Sequence, residues 1–389
     1  MLMFFRPLPW EYATRNLFRR PLQTLLTFTG LTAVLVLVLI VIAFIRGLDH
    51  SLSVSGAPNT ALIFALGMGD NMEYSSIPMR TGDLVAASVL GVQYSFNQPS
   101  VSPELYLGTQ VLLPDREPGM GLVRGVTPSA LLVRQRVELI SGSWPGAGEA
   151  MIGRLATARL KVNLQELESG GTVRFEGRDW KISGIFSAEG SAFESEIWCP
   201  LDDLQQAMKR QDLSVVAVTM SPEGEFADLD LFCKERLDLE LQAIQETDYY
   251  AMLQRDYSPI RWLAWMVILL VSAAGILAGL NTMHGAVLGR LSELAALQTL
   301  GFSRRALILS LIQEGLLLAS AASLLAALLV AVFFHGTAVR FTMGAFRLHL
   351  DSTGLLIGCL TGFSLGLFGS LPAALRLLRL SVIDGLKAV

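Results

Sequence analysis

A serine framed by glycines, Gly362-Phe363-Ser364-Leu365-Gly366, matches the G-x-S-x-G spacing that presents a hydrolase nucleophile. That chemistry needs a strand, a sharp turn and then a helix around the serine. Residues 352–375 contain no Asp, Glu, Lys or Arg, so the serine sits in an apolar run of membrane length and is not expected to be a nucleophile. The same residues have another use. Gly354, Gly358, Gly362 and Gly366 recur every four residues, followed by Ser370, which predicts a helix face that a neighbouring backbone approaches closely. Ala319, Ser323, Ala327 and Ala331 form a related row, and Gly275 and Gly279 a shorter one.

Other chemistry-bearing residues point nowhere catalytic. His50, His284, His335 and His349 lack metal-ligand spacing. No G-x-x-x-x-G-K-[ST] phosphate cradle is present. Leu167-Glu-Ser-Gly-Gly171 faintly resembles the signature loop of an ABC ATPase but has no companion motif, and reads as a turn. No metal or cofactor is expected on this chain. Glu314 is the one carboxylate inside a long apolar run. Such a group can serve a proton or ion pathway, but no second acid, lysine or arginine lies within the other apolar runs. A structural role is expected, with Glu314 snorkelling or pairing with a neighbouring helix end. Cys359 lies in the last apolar run, whereas Cys199 and Cys233 share a polar region. The latter two read either as a disulfide or as two buried thiols.

These residues sit on elements set by composition. The chain has 389 residues, 52% hydrophobic and 16% charged, with a mean hydropathy of +0.49. Soluble domains carry about 25% charge, so a soluble enzyme, a disordered chain and a nucleic-acid binder are excluded. Four membrane-length stretches stand out at 21–45, 262–289, 306–339 and 352–375. The first starts too late and runs too long for a signal peptide, and four transmembrane helices are expected. Residues 46–261 hold 18 Lys/Arg against 29 Asp/Glu, a balance of −11, and the remainder carries +7. The basic residues Arg6, Arg15, Arg19 and Arg20, then Arg290, Arg304 and Arg305, then Arg376, Arg379 and Lys387 place three segments in the cytoplasm. These are an amphipathic N-terminal segment 1–20, a loop 290–305 and a C-terminus 376–389. The 46–261 lobe and a short 340–351 loop then lie outside.

The lobe is large enough for its own core. Alternation over 172–176 and 180–186, with Gly177-Arg178 between, predicts a β-hairpin. Residues 213–220 read as a further strand and 200–208 as a helix with proline at its start. Phe226, Leu229, Phe232, Cys233 and Leu237 recur at helical spacing. Residues 248–261 read as a polar helix running straight into the second span as a stalk, kinked at Pro259. The lobe is therefore of α+β class.

Between the second and third spans, Leu291, Leu294, Leu297 and Leu300 line one face of a short helix, with Gly301 as its stop. An apolar stripe there needs lipid or a partner to cover it. Here the sequence resembles the FtsX-like and MacB-like (type VII) permease subunits of ABC transporters. Arg290, Glu293, Leu297, Gly301, Ser303, Arg305 and Glu314 fit that family's R-x-x-E…L…G-x-S loop and following glutamate. Arg15-Asn-Leu-Phe-Arg-Arg at the start and Leu371-Pro-Ala…Lys387 at the end resemble its flanking motifs, with Gln23, Val382 and Gly385 departing from the usual residues. Val123-Arg-Gly-Val126, Gly142-Ser-Trp-Pro145, Ile152-Gly153 and 180–186 resemble a MacB-type periplasmic core domain.

The resemblance implies a permease dimer, of two copies or a paralogous pair, on two ATPase subunits that hold ATP and magnesium. A periplasmic adaptor or outer-membrane component would complete it, in a bacterial inner membrane with its lipids. Leu294 and Leu297 would then give apolar contact and Glu293 polar contact to the ATPase. The work done would be export or membrane extraction of a lipid, lipoprotein, peptide or drug-like molecule, or FtsX-like activation of an envelope enzyme.

Overall fold

The leucine- and valine-rich run after Arg20 holds nothing that breaks a helix. In the computed structural model, which describes residues 10–69, 71–114, 117–160, 170–341 and 344–376, Trp10–Arg19 forms α1 and Pro21–Ser55 forms α2. Proline suits a first helical turn because its missing N–H would lack a partner there anyway. The helix continues past the expected end at Ile45. Leu48, Ser51, Leu52 and Ser55 are all buried and keep a helical rhythm through the polar segment.

Contacts divide the described residues into two units, one comprising 10–46, 259–335 and 348–376 and the other 47–258 and 336–347. The second unit, the lobe, contains α3 (Thr81–Ser88), α4 (Ala130–Val133), α5 (Ala156–Leu160), α6 (Leu201–Met208), α7 (Phe226–Glu235) and α8 (Glu246–Asp256). Its strands are β1 (Thr60–Ala65), β2 (Ile77–Pro78), β3 (Tyr94–Ser95), β4 (Gln98–Pro99), β5 (Val101–Val111), β6 (Gly119–Val126), β7 (Glu138–Gly142) and β8 (Glu149–Gly153). There follow β9 (Thr172–Phe175), β10 (Arg178–Ser187), β11 (Ile197–Pro200), β12 (Asp212–Leu213), β13 (Val215–Thr219), β14 (Leu241–Gln245), β15 (Ala338–Phe341) and β16 (Gly344–Arg347).

One mixed sheet of ten strands runs β14-β1-β13-β5-β6-β11-β8-β10-β7, with β9 on β10. The β9–β10 hairpin pairs Phe175 with Arg178 through the Glu176-Gly177 turn. The β6–β11 and β8–β10 pairs are parallel and the other ladders of this sheet antiparallel. Gly142 adopts φ +85°, and a side chain there would strike the Ser183 carbonyl, which accounts for glycine beside Ser143-Trp-Pro145.

Two lobe expectations need correction. The helix at 226 stops at Glu235, leaving Leu237 83% exposed beyond it. The polar helix does not run into the second span: α8 ends at Asp256, and Pro259 sits in the first turn of a new helix. A proline there starts a helix rather than kinking one. Cys199 and Cys233 are both free and buried in the apolar core. Burial lifts both thiols above their ordinary range, Cys233 to about 12. They pack as small hydrophobes, with little of the thiolate that disulfide chemistry needs.

The lobe also buries charge. Arg124 on β6 is fully buried, and its Nε donates to Glu196 Oε2 at 2.7 Å while Nη1 donates to Glu104. Arg134 beside α4 bonds Glu104 at 3.3 Å and also Glu246 at the start of α8. Trp198 Nε1 donates to Glu196 Oε2 at 2.7 Å, and the Arg124 guanidinium lies 3.9 Å from the Tyr106 ring centre. Burial raises the Glu196 and Glu246 carboxyls, and the arginines only partly offset it. At Glu104 burial works the same way, but Arg134 and Arg124 together hold the group below its usual range.

The first unit holds the long helices α9 (Ser258–Leu288), α11 (Arg304–Phe333) and α12 (Ser352–Arg376), with α10 (Leu291–Thr299) between the first two. Among the described residues, four helices are long and apolar enough to cross a membrane: Pro21–Ser55, Ser258–Leu288, Arg304–Phe333 and Ser352–Leu375. The third is shorter than the apolar run 306–339. It ends at Phe333, Gly336 takes φ +75°, and β15 (Ala338–Phe341) then pairs antiparallel with β16 (Gly344–Arg347). No charge marks that end, so hydropathy alone runs past it.

The glycine row of α12 is a packing face shared by two neighbours. A Cβ at Gly354 would lie 3.2 Å from Ile42, and one at Gly358 would collide with Leu39, both on α2. One at Gly362 would strike Ser323 of α11 and touch Leu35, and one at Gly366 would lie 2.7 Å from Ala319. Four residues turn a helix by about 40° more than one revolution. The row therefore drifts from α2 to α11 along its length. The same drift corrects the α11 row: Ala319 and Ser323 are buried, but Ala331 is exposed and Ala322, Ala326 and Val330 take the inner face. Ser364 Oγ donates to Thr361 O at 2.7 Å within α12, a helical setting with no nucleophile elbow.

Candidate functional site

Residues far apart in the chain meet at one end of the helical unit. Arg290, 6% exposed, follows α9 and directs Nη1 to Glu314 Oε2 at 3.1 Å. Asn16 Nδ2 of α1 donates to the same oxygen at 2.9 Å. Glu293 Oε1, in the first turn of α10, accepts from Tyr12 Oη at 3.0 Å and from Arg19 Nη1 at 2.9 Å. Arg290 Nε stands 3.7 Å from the other Glu293 oxygen. Burial raises the Tyr12 hydroxyl, opposed by its hydrogen bond to Arg290. Arg20 Nη2 donates to the Gly289 carbonyl at 2.8 Å, placing a cation at the C-terminal end of α9 where the helix dipole favours one. Three motif segments are thereby tied together: Asn16 and Arg19 on α1, Arg290 and Glu293 around α10, and Glu314 on α11.

The apolar side of this end corrects the expected docking contacts. Leu294 is 2% exposed and packs with Val287, Ala306, Leu307, Leu311, Ala373 and Ala374, while Leu297 lies partly buried against the same cluster. Leu294 and Leu297 are covered by the chain's own helices, including Ala373 and Ala374 of α12. Glu293 is likewise engaged within the chain. Residues 377–389, with Arg379, Lys387 and the rest of the terminal motif, lie outside the described residues, as do Arg6, Asp115 and most of the 167–171 turn.

The end of α10 follows a defined stop. Phe302 N donates to Leu297 O at 3.2 Å and Gly301 N to Gln298 O at 3.0 Å, with Gly301 at φ +93°. That is the Schellman pattern, and Phe302 after the glycine packs on the same apolar cluster as Leu297. Ser303 Oγ then accepts from Ala306 N at 3.3 Å and caps α11. What remains outward is Ser292, Ala296, Thr299, Leu300, Gly301, Ser303, Arg304 and Arg305, with Leu300 76% exposed. Leu300, Gly301, Ser303 and Arg305 stand in the sequence pattern, whereas Ser292, Ala296 and Thr299 do not, and a helix's apolar stripe looks the same whether it covers a partner or its own bundle.

Glu314→Leu leaves the Arg290 guanidinium buried without its carboxylate. It is expected to cost about 3 kcal/mol of stability, against about 1 kcal/mol for Asn16→Ala. Thermal unfolding of the purified protein in detergent checks this. Equal melting of Glu314→Leu and the unmodified protein would remove the cluster from the account.

A lobe with a mixed sheet, a unit of four membrane-length helices and a short helix clamped at one end of that unit define a multi-pass membrane protein with an α+β domain. Residues 24–229 match the family model of the MacB-like periplasmic core domain. The chain belongs to that family, and is a MacB/FtsX-like (type VII) ABC transporter permease. Among solved structures, the periplasmic region of MacB from Actinobacillus actinomycetemcomitans is 13% identical with a TM-score of 0.40, over 51% of this chain and 94% of that one. The extracellular domain of the noncanonic ABC-type transporter YknZ from Gram-positive bacteria is 14% identical with a TM-score of 0.37, over 48% and 100%. A domain of a Porphyromonas gingivalis permease protein is 15% identical with a TM-score of 0.35, over 48% and 88%. No curated protein matches the chain.

Proposed function

We propose that this chain couples ATP hydrolysis on a separate ATPase subunit to conformational change in its lobe. The work done is export, or extraction from the membrane, of a lipid, lipoprotein, peptide or drug-like substrate. The observation that carries this reading is the clamp of Asn16, Arg290, Glu293 and Glu314, which fixes α10 to α1 and α11 and leaves Ala296, Thr299, Leu300 and Gly301 exposed. A push on these residues reaches three helices through ion pairs and packed leucines. A two-state bundle biased by ATP binding then needs no wire beyond these contacts.

The assembly proposed has two such permease chains, or one with a paralogue, on two ATPase subunits that bind ATP and magnesium. A periplasmic adaptor or outer-membrane component is a further partner. The most apolar window of α9 is 11% buried, against 44% in α2, so α9 is the span most open to lipid or to the second copy.

In this reading the protein lies in the bacterial inner membrane with both termini cytoplasmic and the lobe outside. In a cysteine-free background, Thr299→Cys should react with a membrane-impermeant maleimide only after the inner membrane is opened. Leu237→Cys should react once the outer barrier alone is breached. Labelling of position 299 from outside would contradict this orientation.

A further inference from the structure

A cavity of about 450 Å³ lies in the lobe between the end of α2 and the start of α8, a size typical of ligand sites. Val54, Val133, Val137, Phe193 and Pro222 give it apolar walls. Ser191 and Thr219 also line it, at 1% and 5% exposure, and their hydroxyl oxygens are buried without a hydrogen-bond partner. Buried hydroxyls rarely stay unmatched, since each forfeits its water without replacement. Asn59, Gln93 and Gln135 add amide side chains to the lining.

The charges on the wall are already engaged. Arg134 donates to Glu246 and Glu104, and the second Glu246 oxygen accepts from Ala57 N at 3.0 Å. At the rim, Arg136 donates to the Val54 carbonyl and faces Glu189 at 3.8 Å. No charge is left to attract an anion or a cation, so the occupant is neutral. Hydroxyls and amides that both donate and accept, set between aliphatic walls, suit a peptide backbone with small apolar side chains. A sugar would leave the valines, Phe193 and Pro222 without apolar contact.

We propose that this cavity binds an uncharged peptide segment through Ser191 and Thr219. Ser55, the last residue of α2, and Glu246, the first of α8, both line it. The bound segment therefore touches the two helices by which the chain enters and leaves the lobe. This goes beyond the coupling role and is tested with no ATPase present.

The probe is acetyl-Val-Thr-Val-amide, titrated into the full chain in nanodiscs and followed by ligand-observed NMR, with sucrose as the sugar arm. Saturable peptide binding is expected, weakened about tenfold by Thr219→Val and by Ser191→Ala, the loss of one hydrogen bond each. Without peptide, both variants should melt at or above the temperature of the unmodified protein, because neither hydroxyl has a bond to lose. Four results would each overturn the proposal: no saturable peptide binding, sucrose bound in preference, unchanged affinity in both variants, or lower melting of both variants in the absence of peptide.

Discussion

Arg124→Met is expected to cost the lobe about 3–5 kcal/mol, the usual penalty for removing one partner of a buried ion pair. Domains are stable by only about 5–15 kcal/mol, so this single change approaches unfolding. The cause is that Arg124 serves two carboxylates at once. Without it Glu196 keeps only Trp198 and Tyr106, and Glu104 keeps only Arg134. The pH dependence gives a second signature. Glu196 is raised by burial in the folded state, so the fold holds its proton more tightly than the unfolded chain does. Its contribution is complete below the unfolded value of about 4.3 and is lost as pH climbs through the folded value. Losing Arg124 raises Glu196 further, so the deficit of the variant narrows as pH falls. Thermal unfolding followed by tryptophan fluorescence, with Trp198 in the cluster itself, reads both effects. A variant that melts with the unmodified protein at neutral pH would show that the ion pairs do not hold the lobe.

Gly362→Leu is expected to prise α12 from α2 and α11. The added side chain would occupy the space of Ser323 Oγ and press on Leu35, and both neighbours are long helices that have to shift as bodies. Overpacking of this kind costs about 1–3 kcal/mol, occasionally more. Leu365 is no neutral comparison, since it is 2% exposed and packs against Gly275. Phe363, 53% exposed on the same helix, is the proper control as Phe363→Ala. Detergent-resistant folding, read by size-exclusion chromatography and melting, should fail for Gly362→Leu and survive for Phe363→Ala. Equal behaviour of the two would show that the glycine face is not a contact.

The helical unit was the more legible half of this protein. Long charge-free runs reveal spans because a bilayer demands about 20 apolar residues, and a four-residue glycine rhythm survives in the sequence as a face. The lobe was less legible for a physical reason. On β5 and β6 the charged Glu104 and Arg124 occupy core positions, so the alternation that announces a half-buried strand is broken. Only folding shows that Glu104, Arg124, Arg134, Glu196 and Glu246, drawn from five separate segments, pair with one another. At the candidate site the motif residues Arg290, Glu293 and Glu314 meet within the chain. Leu294 and Glu293 hold α10 to its own bundle, and the surface left over is made of Ala296 and Thr299, which no periodicity singles out, and of Leu300, the outer end of the leucine row.

That surface offers the most direct test of the coupling account. An Ala296→Arg, Leu300→Asp double variant alters two exposed side chains on α10 and at its end, and leaves the Arg290–Glu314 clamp untouched. The permease is purified from native membranes, and the ATPase recovered with it, its ATP hydrolysis and the melting of the permease alone are measured side by side. The account predicts loss of the ATPase and of stimulated hydrolysis, with melting unchanged. Full recovery of an active ATPase with the double variant would contradict it.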